Sequence, residues 1–219
     1  MKFAIIVFPG SNCDYDAYYA LKNIGFEVEF VWHKLNNLDD FDGVLIPGGF
    51  SYGDYLRTGA IAKFSPIMNA ILEHSKKGKI IIGICNGFQI LIESGLLPGA
   101  LISNKKIKFI SKQVSLNVSS SNSIFTKNIP IDKKLKMPIA HKQGNYIASE
   151  KTLKELQDQD RIIFTYENNP NGSVLDIAGI TNKKRNVLGM MPHPERASDG
   201  LLNSTDGRLI FESILNKYE

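Results

Sequence analysis

Short runs of residues that are apolar on both faces alternate along the chain with stretches of helical pattern. The first run, Phe3–Phe8, precedes a Pro-Gly turn and a helical stretch over Asp14–Ile24 that ends at Gly25. The run Lys79–Ile84 repeats this pattern and precedes a helix over about residues 86–94. Strands that are apolar on both faces are typical of a parallel sheet covered by helices. The pattern therefore predicts an α/β fold with a mostly parallel sheet flanked by helices.

The middle of the chain has more β pattern than its ends. Short alternating strands are predicted between Lys105 and Ser123, and no repeat or long linker divides the chain. We therefore expect one domain over residues 1–219, with a β-rich insertion. The other predicted elements are strands at Glu27–Trp32, Gly43–Ile46, Asn145–Ala148, Ile162–Tyr166, Val174–Ile180 and Asn186–Met191, and helices at Pro66–Lys77 and Asp206–Lys217.

Composition narrows the possible partners and compartment. Hydrophobic residues make up 43% and charged residues 22% of the chain, a globular mixture. No apolar run approaches the ~18 residues that a membrane span needs. The net charge is +4, but only 5 of the 26 basic residues are Arg, which direct nucleic-acid recognition favours. Two cysteines do not make a disulfide scaffold. We expect a cytoplasmic protein that binds neither nucleic acid nor membrane.

The segment Gly83–Gln89 places a nucleophile between two glycines at two-residue spacing. Cys85 stands at its centre, after a predicted strand and before a predicted helix, as in a strand-to-helix nucleophile elbow. A thiol at a helix N-terminus feels the positive end of the helix dipole, which favours the thiolate. A buried cysteine in a tight turn is the alternative interpretation. Cys13 also follows a strand but lacks flanking glycines, so we interpret it as structural.

A thiolate nucleophile needs a base and a group that orients the base. His193 and Glu195 follow the last predicted strand, and residues two apart in an extended segment project to the same side. We therefore predict Cys85, His193 and Glu195 as a catalytic triad. A capping histidine beside a surface glutamate is the alternative. His74, near a helix end and two lysines, is expected on the surface.

Acyl chemistry also needs donors for the oxygen that becomes negative during attack. The amide of Asn86, directly after Cys85, is one candidate, and the turn Pro47–Phe50 offers another, although an ordinary turn has the same composition. The sequence contains no phosphate loop, no dinucleotide fingerprint and no cysteine–histidine cluster at metal-ligand spacing. We therefore expect no cofactor and no metal in this chain.

Taken together, these motifs resemble the class I, triad-type glutamine amidotransferase family. The resemblance rests on Gly83-x-Cys85-x-Gly87-x-Gln89 and on the distant His193-Pro194-Glu195. Other segments are similar to one branch of that family, the glutaminase subunits of phosphoribosylformylglycinamidine synthases, and the similarity covers nearly the whole chain. These segments are Phe8–Asp14, Pro47–Arg57, Gly95–Leu101 and Met190–Ala197.

The resemblance implies a flavodoxin-like fold and the hydrolysis of glutamine to glutamate and ammonia. Cys85 would attack the amide carbon, His193 would move the protons and Glu195 would orient His193. The amides of Gly49 and Asn86 would bind the oxyanion. The ammonia would pass to a large synthetase subunit that uses ATP and Mg²⁺ in purine synthesis, and a small bridging subunit would be a second partner.

The resemblance also implies residues for the glutamine pocket. Gln89 lies one helical turn after Cys85 and is expected to bind substrate, although a residue on the helix surface would have the same spacing. The segment that contains His141, Asn145 and Tyr146 is expected to wall the pocket.

The chain departs from the family pattern at a few positions outside the triad. Thr58 stands where a cysteine is expected, and Gln143, after Lys142, stands where an acidic residue is expected. The stretch before Asn169–Ser173 is also short. Two other functions stay open: a glutaminase for another synthetase or a related cysteine hydrolase, and a catalytically silent scaffold subunit.

Overall fold

The computed structural model describes residues 1–215, with eleven strands and five helices in that range. The strands are β1 (Lys2–Val7), β2 (Glu27–Trp32), β3 (Gly43–Ile46), β4 (Ile80–Ile84), β5 (Ala100–Ser103), β6 (Ile110–Val118), β7 (Lys134–His141), β8 (Gln143–Ile147), β9 (Ile162–Tyr166), β10 (Ile177–Thr181) and β11 (Val187–Met190). The helices are α1 (Asp14–Ile24), α2 (Ile67–Lys76), α3 (Asn86–Glu93), α4 (Glu150–Asp158) and α5 (Arg208–Leu215).

Nine strands form one sheet in the order β2-β1-β3-β4-β11-β10-β9-β6-β7. Neighbours run parallel from β2 to β11 and antiparallel from β11 to β7. Strands β5 and β8 pair separately as an antiparallel ribbon. The predicted α/β fold with a β-rich insertion is confirmed. Most strands of the β-rich part extend the parallel sheet beyond its β11 edge.

Close packing of α3 on the sheet fixes the region around Cys85. All five residues of β4 are buried, and α3 lies on β3, β4 and β11. A side chain at Gly189 would overlap the ring of Phe88, and one at Gly83 would overlap Leu91. These two strand positions need glycine because the helix approaches the sheet so closely.

Strands β4 and β11 are parallel neighbours, so their carboxyl ends meet at one edge of the sheet. Cys85 follows β4, and its amide donates to the carbonyl of Met190 at 2.8 Å. His193 follows β11 by three residues, and its amide donates to the carbonyl of Pro138 in β7 at 2.9 Å. This edge of the sheet therefore brings together segments that are about a hundred residues apart in sequence.

Several sequence-based predictions need correction. The predicted strand Val174–Ile180 begins only at Ile177, because residues 174–176 form a 3-10 turn in which Leu175 has a φ of 52°. His74, expected on the surface, is 3% exposed. Strands β5 and β7 and helix α4 were not predicted. The predicted closing helix is seen over α5, and its last two positions, 216 and 217, lie outside the described residues.

No helix among residues 1–215 has the length and apolar content needed to cross a membrane.

Candidate active site

Cys85 occupies a strained turn between β4 and α3. Its φ of 52° and ψ of −105° lie outside the regions that most residues adopt. A side chain at Gly87 would overlap the carbonyl oxygen of Ile46, so the turn can close only with glycine at that position. The thiol is 3.7 Å from the carbonyl oxygen of Ala140 in β7. The geometry is that of the predicted nucleophile elbow, with the sulfur at the N-terminus of α3.

His193 and Glu195 meet beside this elbow. Nδ1 of His193 is 2.6 Å from Oε1 of Glu195, and the two residues are 1% and 2% exposed. The premise of an extended segment is wrong, because Glu195 lies in a 3-10 turn over Pro194–Ala197. The two side chains still lie on the same side of the chain, and the Glu195 carboxylate contacts the His193 imidazole.

Charged neighbours control the protonation of His193. Burial acts to lower the pKa of the imidazole, but the negative charges of Glu195 and of a Cys85 thiolate raise that pKa well above its ordinary value. The thiols of Cys85 and Cys13 lie near the imidazole, whose buried Nε2 has no hydrogen-bond partner among residues 1–215. This arrangement favours the protonated form of the His193 imidazole.

Cys13, interpreted as structural, lies in the same site. Its sulfur is 3.1 Å from Nη2 of Arg196, and burial raises the pKa of its thiol. Ligand atoms of Cys13, His193 and Glu195 lie within 4.8 Å of one another, a spacing that a metal ion could also use. The hydrogen bond between His193 and Glu195 already engages two of these side chains, as a triad requires.

Two cavities adjoin Cys85. One of about 290 Å³ is lined on one side by Asp54, Gln89 and Gln143. The other, of about 180 Å³, is lined by His193 and by residues around Cys13. Gly49 and Cys85 line both cavities. Asn86 is the first residue of α3, where a backbone N–H has no partner within the helix.

The side chain of Asn86 ties the elbow to the loop above it. Its Oδ1 accepts hydrogen bonds from the amide and hydroxyl of Ser51, at 3.1 and 2.5 Å. Its Nδ2 donates to Oε1 of Gln89 at 2.9 Å. Nε2 of Gln89 in turn donates to the carbonyl of Gln143 at 2.6 Å. Gln89 therefore faces the cavity region rather than the helix surface, with both polar atoms in internal hydrogen bonds.

The other predicted pocket residues separate into two groups. His141 lines the larger cavity, and burial lowers the pKa of its imidazole to about 4. Asn145 and Tyr146 do not line either cavity beside Cys85. The ring of Tyr146 is fully buried against Phe88, because β8 directs this side chain into the core.

Asn104 was missed in the sequence analysis. Its Oδ1 accepts from Nδ1 of His141 at 3.0 Å and from the amide of Gly144 at 3.1 Å. Its Nδ2 donates to the carbonyl of His141 at 2.9 Å. No motif indicated this residue, since its role depends on the pairing of β5 with β8.

Two of the residues that depart from the expected family pattern, Thr58 and Gln143, contact each other. Oγ1 of Thr58 donates to Oε1 of Gln143 at 2.9 Å, and both residues line the larger cavity. A hydroxyl donor suits a neutral amide acceptor, so the two changes form one compatible pair.

The buried histidine–glutamate pair beside a cysteine at a strand-to-helix turn is the arrangement expected of a triad-type glutamine amidotransferase. The chain belongs to the family of CobB/CobQ-like glutamine amidotransferase domains, whose model matches residues 1–209.

Solved structures agree with this assignment. A chain in the structure of PurLQS from Thermotoga maritima is 44% identical, with a TM-score of 0.93 over 100% of this chain and 99% of that one. A putative GMP synthase subunit from Thermoplasma acidophilum is 17% identical, with a TM-score of 0.67 over 99% and 93% of the two chains. A glutamine amidotransferase from Thermotoga maritima is 18% identical, with a TM-score of 0.58 over 99% and 91%. The last two show the fold alone.

Proposed function

We propose that this chain is the glutaminase subunit of a phosphoribosylformylglycinamidine synthase. It hydrolyses glutamine and supplies ammonia to the step that converts formylglycinamide ribonucleotide to the amidine in purine synthesis. The observation that carries this proposal is the 44% identity, over essentially the full length of both chains, to a chain of PurLQS. We propose one type-1 amidotransferase domain over residues 1–219, which the family match over residues 1–209 supports.

Cys85 is the nucleophile in this proposal. Its thiolate attacks the side-chain amide carbon of glutamine and forms a tetrahedral intermediate. The imidazolium of His193, which received the thiol proton, gives a proton to the leaving nitrogen, so ammonia departs and a glutamyl thioester remains. A water molecule then attacks the thioester while His193 accepts its proton, and glutamate leaves as the thiol forms again.

The residues around Cys85 and His193 support the same chemistry. Glu195 holds the Nδ1 side of His193 at 2.6 Å, which directs the other ring nitrogen toward the reacting atoms. The amides of Gly49 and Asn86 stabilise the oxyanion, since both residues adjoin Cys85 and the Asn86 amide lies at the start of α3. Gln89 and His141 line the substrate cavity.

The partners follow from the proposed reaction. Free ammonia production would waste glutamine, so a synthetase must consume the ammonia where it forms. We assign ATP and Mg²⁺ to the large synthetase subunit, a bridging role to a small subunit, and the cytoplasm to the complex. This chain needs no cofactor of its own for a thiol-based hydrolysis.

Glutamate release from glutamine tests the function directly. The purified chain is assayed alone and then with its cognate synthetase subunits, ATP, Mg²⁺ and formylglycinamide ribonucleotide. We expect strong stimulation by the complete mixture. Release that ignores the partners would indicate a different cysteine hydrolase, and no release in either condition would indicate a silent scaffold.

A further inference from the structure

The residues that line the larger cavity beside Cys85 include one aspartate and one exposed lysine. Asp54 is the only acidic residue among those that line it, and Lys142 is the only lysine or arginine. His141 lines it too, but its pKa of about 4 makes that imidazole neutral near pH 7. The charges of the cavity therefore complement a small zwitterion.

The carboxylate of Asp54 lacks the partners that such a position normally requires. Among residues 1–215 its one hydrogen bond comes from Nδ2 of Asn86 at 3.4 Å, and it forms no ion pair there. Burial raises its pKa to about 6. An ionised, half-buried carboxylate without a nearby cation costs free energy. A ligand that brings a cationic group to Asp54 would offset this cost.

The backbone around Asp54 is held in an unusual conformation. Tyr52, Gly53 and Asp54 have consecutive positive φ angles of 54°, 66° and 56°. The Tyr52 hydroxyl lies 2.9 Å from Nδ1 of His33, and Ser51 is bonded to Asn86. Strained residues persist where the surroundings fix them, so this loop positions the Asp54 carboxylate rather than leaving it to solvent.

We infer that Asp54 binds the α-ammonium group of the substrate glutamine, with Lys142 on the side of its α-carboxylate. Asn86 directly follows Cys85 and contacts Asp54, so one side chain separates the carboxylate from the nucleophile. In glutamine, the amide carbon and the α-nitrogen are only a few bonds apart, and Cys85 and Asp54 line the same cavity. This assignment rests on the proposed glutaminase function and names how the site selects an amino acid.

The first test needs no variant. Wild-type protein in the complete synthetase mixture is given L-glutamine or 4-carbamoylbutanoate, which is glutamine without its α-ammonium group. We expect kcat/KM to be at least about 100-fold higher for glutamine, because the analogue leaves the Asp54 carboxylate unpaired. Similar kcat/KM values for both substrates would overturn the assignment while leaving the glutaminase function intact. Hydrolysis of neither substrate would overturn both.

The second test compares Asp54→Asn, which keeps the side-chain size, with Asp40→Asn, which changes an exposed aspartate. We expect Asp54→Asn to lower kcat/KM for glutamine about 100-fold, chiefly through KM, and to change it less than about 3-fold for the analogue. Asp40→Asn should leave both values unchanged. Equal losses on the two substrates would contradict the assignment, since a folding defect cannot distinguish them.

A binding measurement gives a readout independent of turnover. In a Cys85→Ala background, calorimetry should detect glutamine binding that weakens about 100-fold when Asp54→Asn is added. Equal affinity in the single and double variants would overturn the role of Asp54.

Discussion

His193 is the residue at which the electrostatics of the site converge. It is 1% exposed, shares a 2.6 Å hydrogen bond with Glu195 and lies beside two thiols. Burial alone would favour the neutral imidazole, but the nearby negative charges raise its pKa well above the usual value. The imidazole can therefore carry the proton that the proposed reaction delivers to the leaving nitrogen.

Glu195→Gln tests this electrostatic account. The variant keeps the size of the side chain and removes its charge, so the pKa of His193 should fall. The high-pH limb of glutaminase activity, where the imidazolium loses its proton, should therefore move to lower pH. We expect kcat at about pH 7.5 to fall about 100-fold or more. The pH profile of the complex measures both effects, and an unchanged high-pH limb with normal kcat would contradict the role of Glu195.

Sequence reasoning reached the residues that belong to local motifs. Cys85 was recognisable from its flanking glycines, and Glu195 from its distance to His193. Asp54 and Asn104 were not, because only the folded chain brings each beside its partner: Asn86 for Asp54 and His141 for Asn104. Side chains in the interior of a loop carry no periodic signal that would reveal such contacts.

The strand-to-helix elbow is the element that carries the proposed nucleophile. It depends on two close approaches, of α3 to β4 and of the turn to β3. The second is the stricter one, because a side chain at Gly87 would overlap the main-chain carbonyl of Ile46 instead of a mobile side chain. Backbone in the middle of a sheet cannot move aside cheaply.

Gly87→Ala should therefore destabilise the fold by about 3 kcal/mol or more. The matched control is Gly200→Ala, because a side chain at Gly200 would meet no atom within 4 Å. That change should alter stability by less than about 0.5 kcal/mol. Urea unfolding of the two variants measures the difference, and a near-neutral Gly87→Ala would show that the elbow tolerates a side chain.

Elements were predictable where their pattern was strong. The buried strands β1, β3 and β4 have uniform apolar runs, and α1 ends at Gly25, which adopts the left-handed conformation with a φ of 112°. Strand β7 was missed because Pro138 interrupts an alternation of lysines with apolar residues. Helix α4 was missed because Leu153 and Leu156, although at helical spacing, are the only apolar residues in an otherwise polar segment.

In the whole molecule, the order of the strands decides which distant segments meet at the site. Cys85 and His193 meet because β4 lies beside β11, although about a hundred residues separate them in sequence. No local pattern specifies which strands become neighbours, so the sequence predicted a parallel sheet without its order. The antiparallel half is equally non-local, and β7 brings Ala140 against the Cys85 sulfur from the far end of that half.

Acid stability is a property of the whole molecule that buried histidines should dominate. The pKa values of His74 and His141 are lowered to about 4, by burial first and by nearby positive charge second. An unfolded chain binds protons at these residues near pH 6.5, so their stabilisation is complete above about pH 6.5 and is lost as the pH falls toward 4. Each of the two histidines should lower the free energy of unfolding by about 1–2 kcal/mol between about pH 7 and pH 5.

His74→Gln should reduce the loss of unfolding free energy between about pH 7 and pH 5 by the contribution of one histidine, about 1–2 kcal/mol. Urea unfolding of the wild type and the variant at about pH 7 and about pH 5 measures it. Asp54 has the opposite effect, because its raised pKa of about 6 stabilises the folded state as the pH falls. This contribution is the same in the wild type and the variant, so it does not affect the difference between them. An identical pH dependence in the two proteins would contradict a neutral, buried His74.

The most direct test of the central claim is glutamine-dependent and ammonia-dependent synthesis by the assembled complex with Cys85→Ala. If Cys85 is the nucleophile that feeds ammonia to the synthetase, synthesis of the amidine from glutamine should fall to background. Synthesis from added ammonium salt should stay within about 2-fold of the wild-type rate, because the synthetase reaction is separate. Survival of glutamine-dependent synthesis at the wild-type rate would contradict the account.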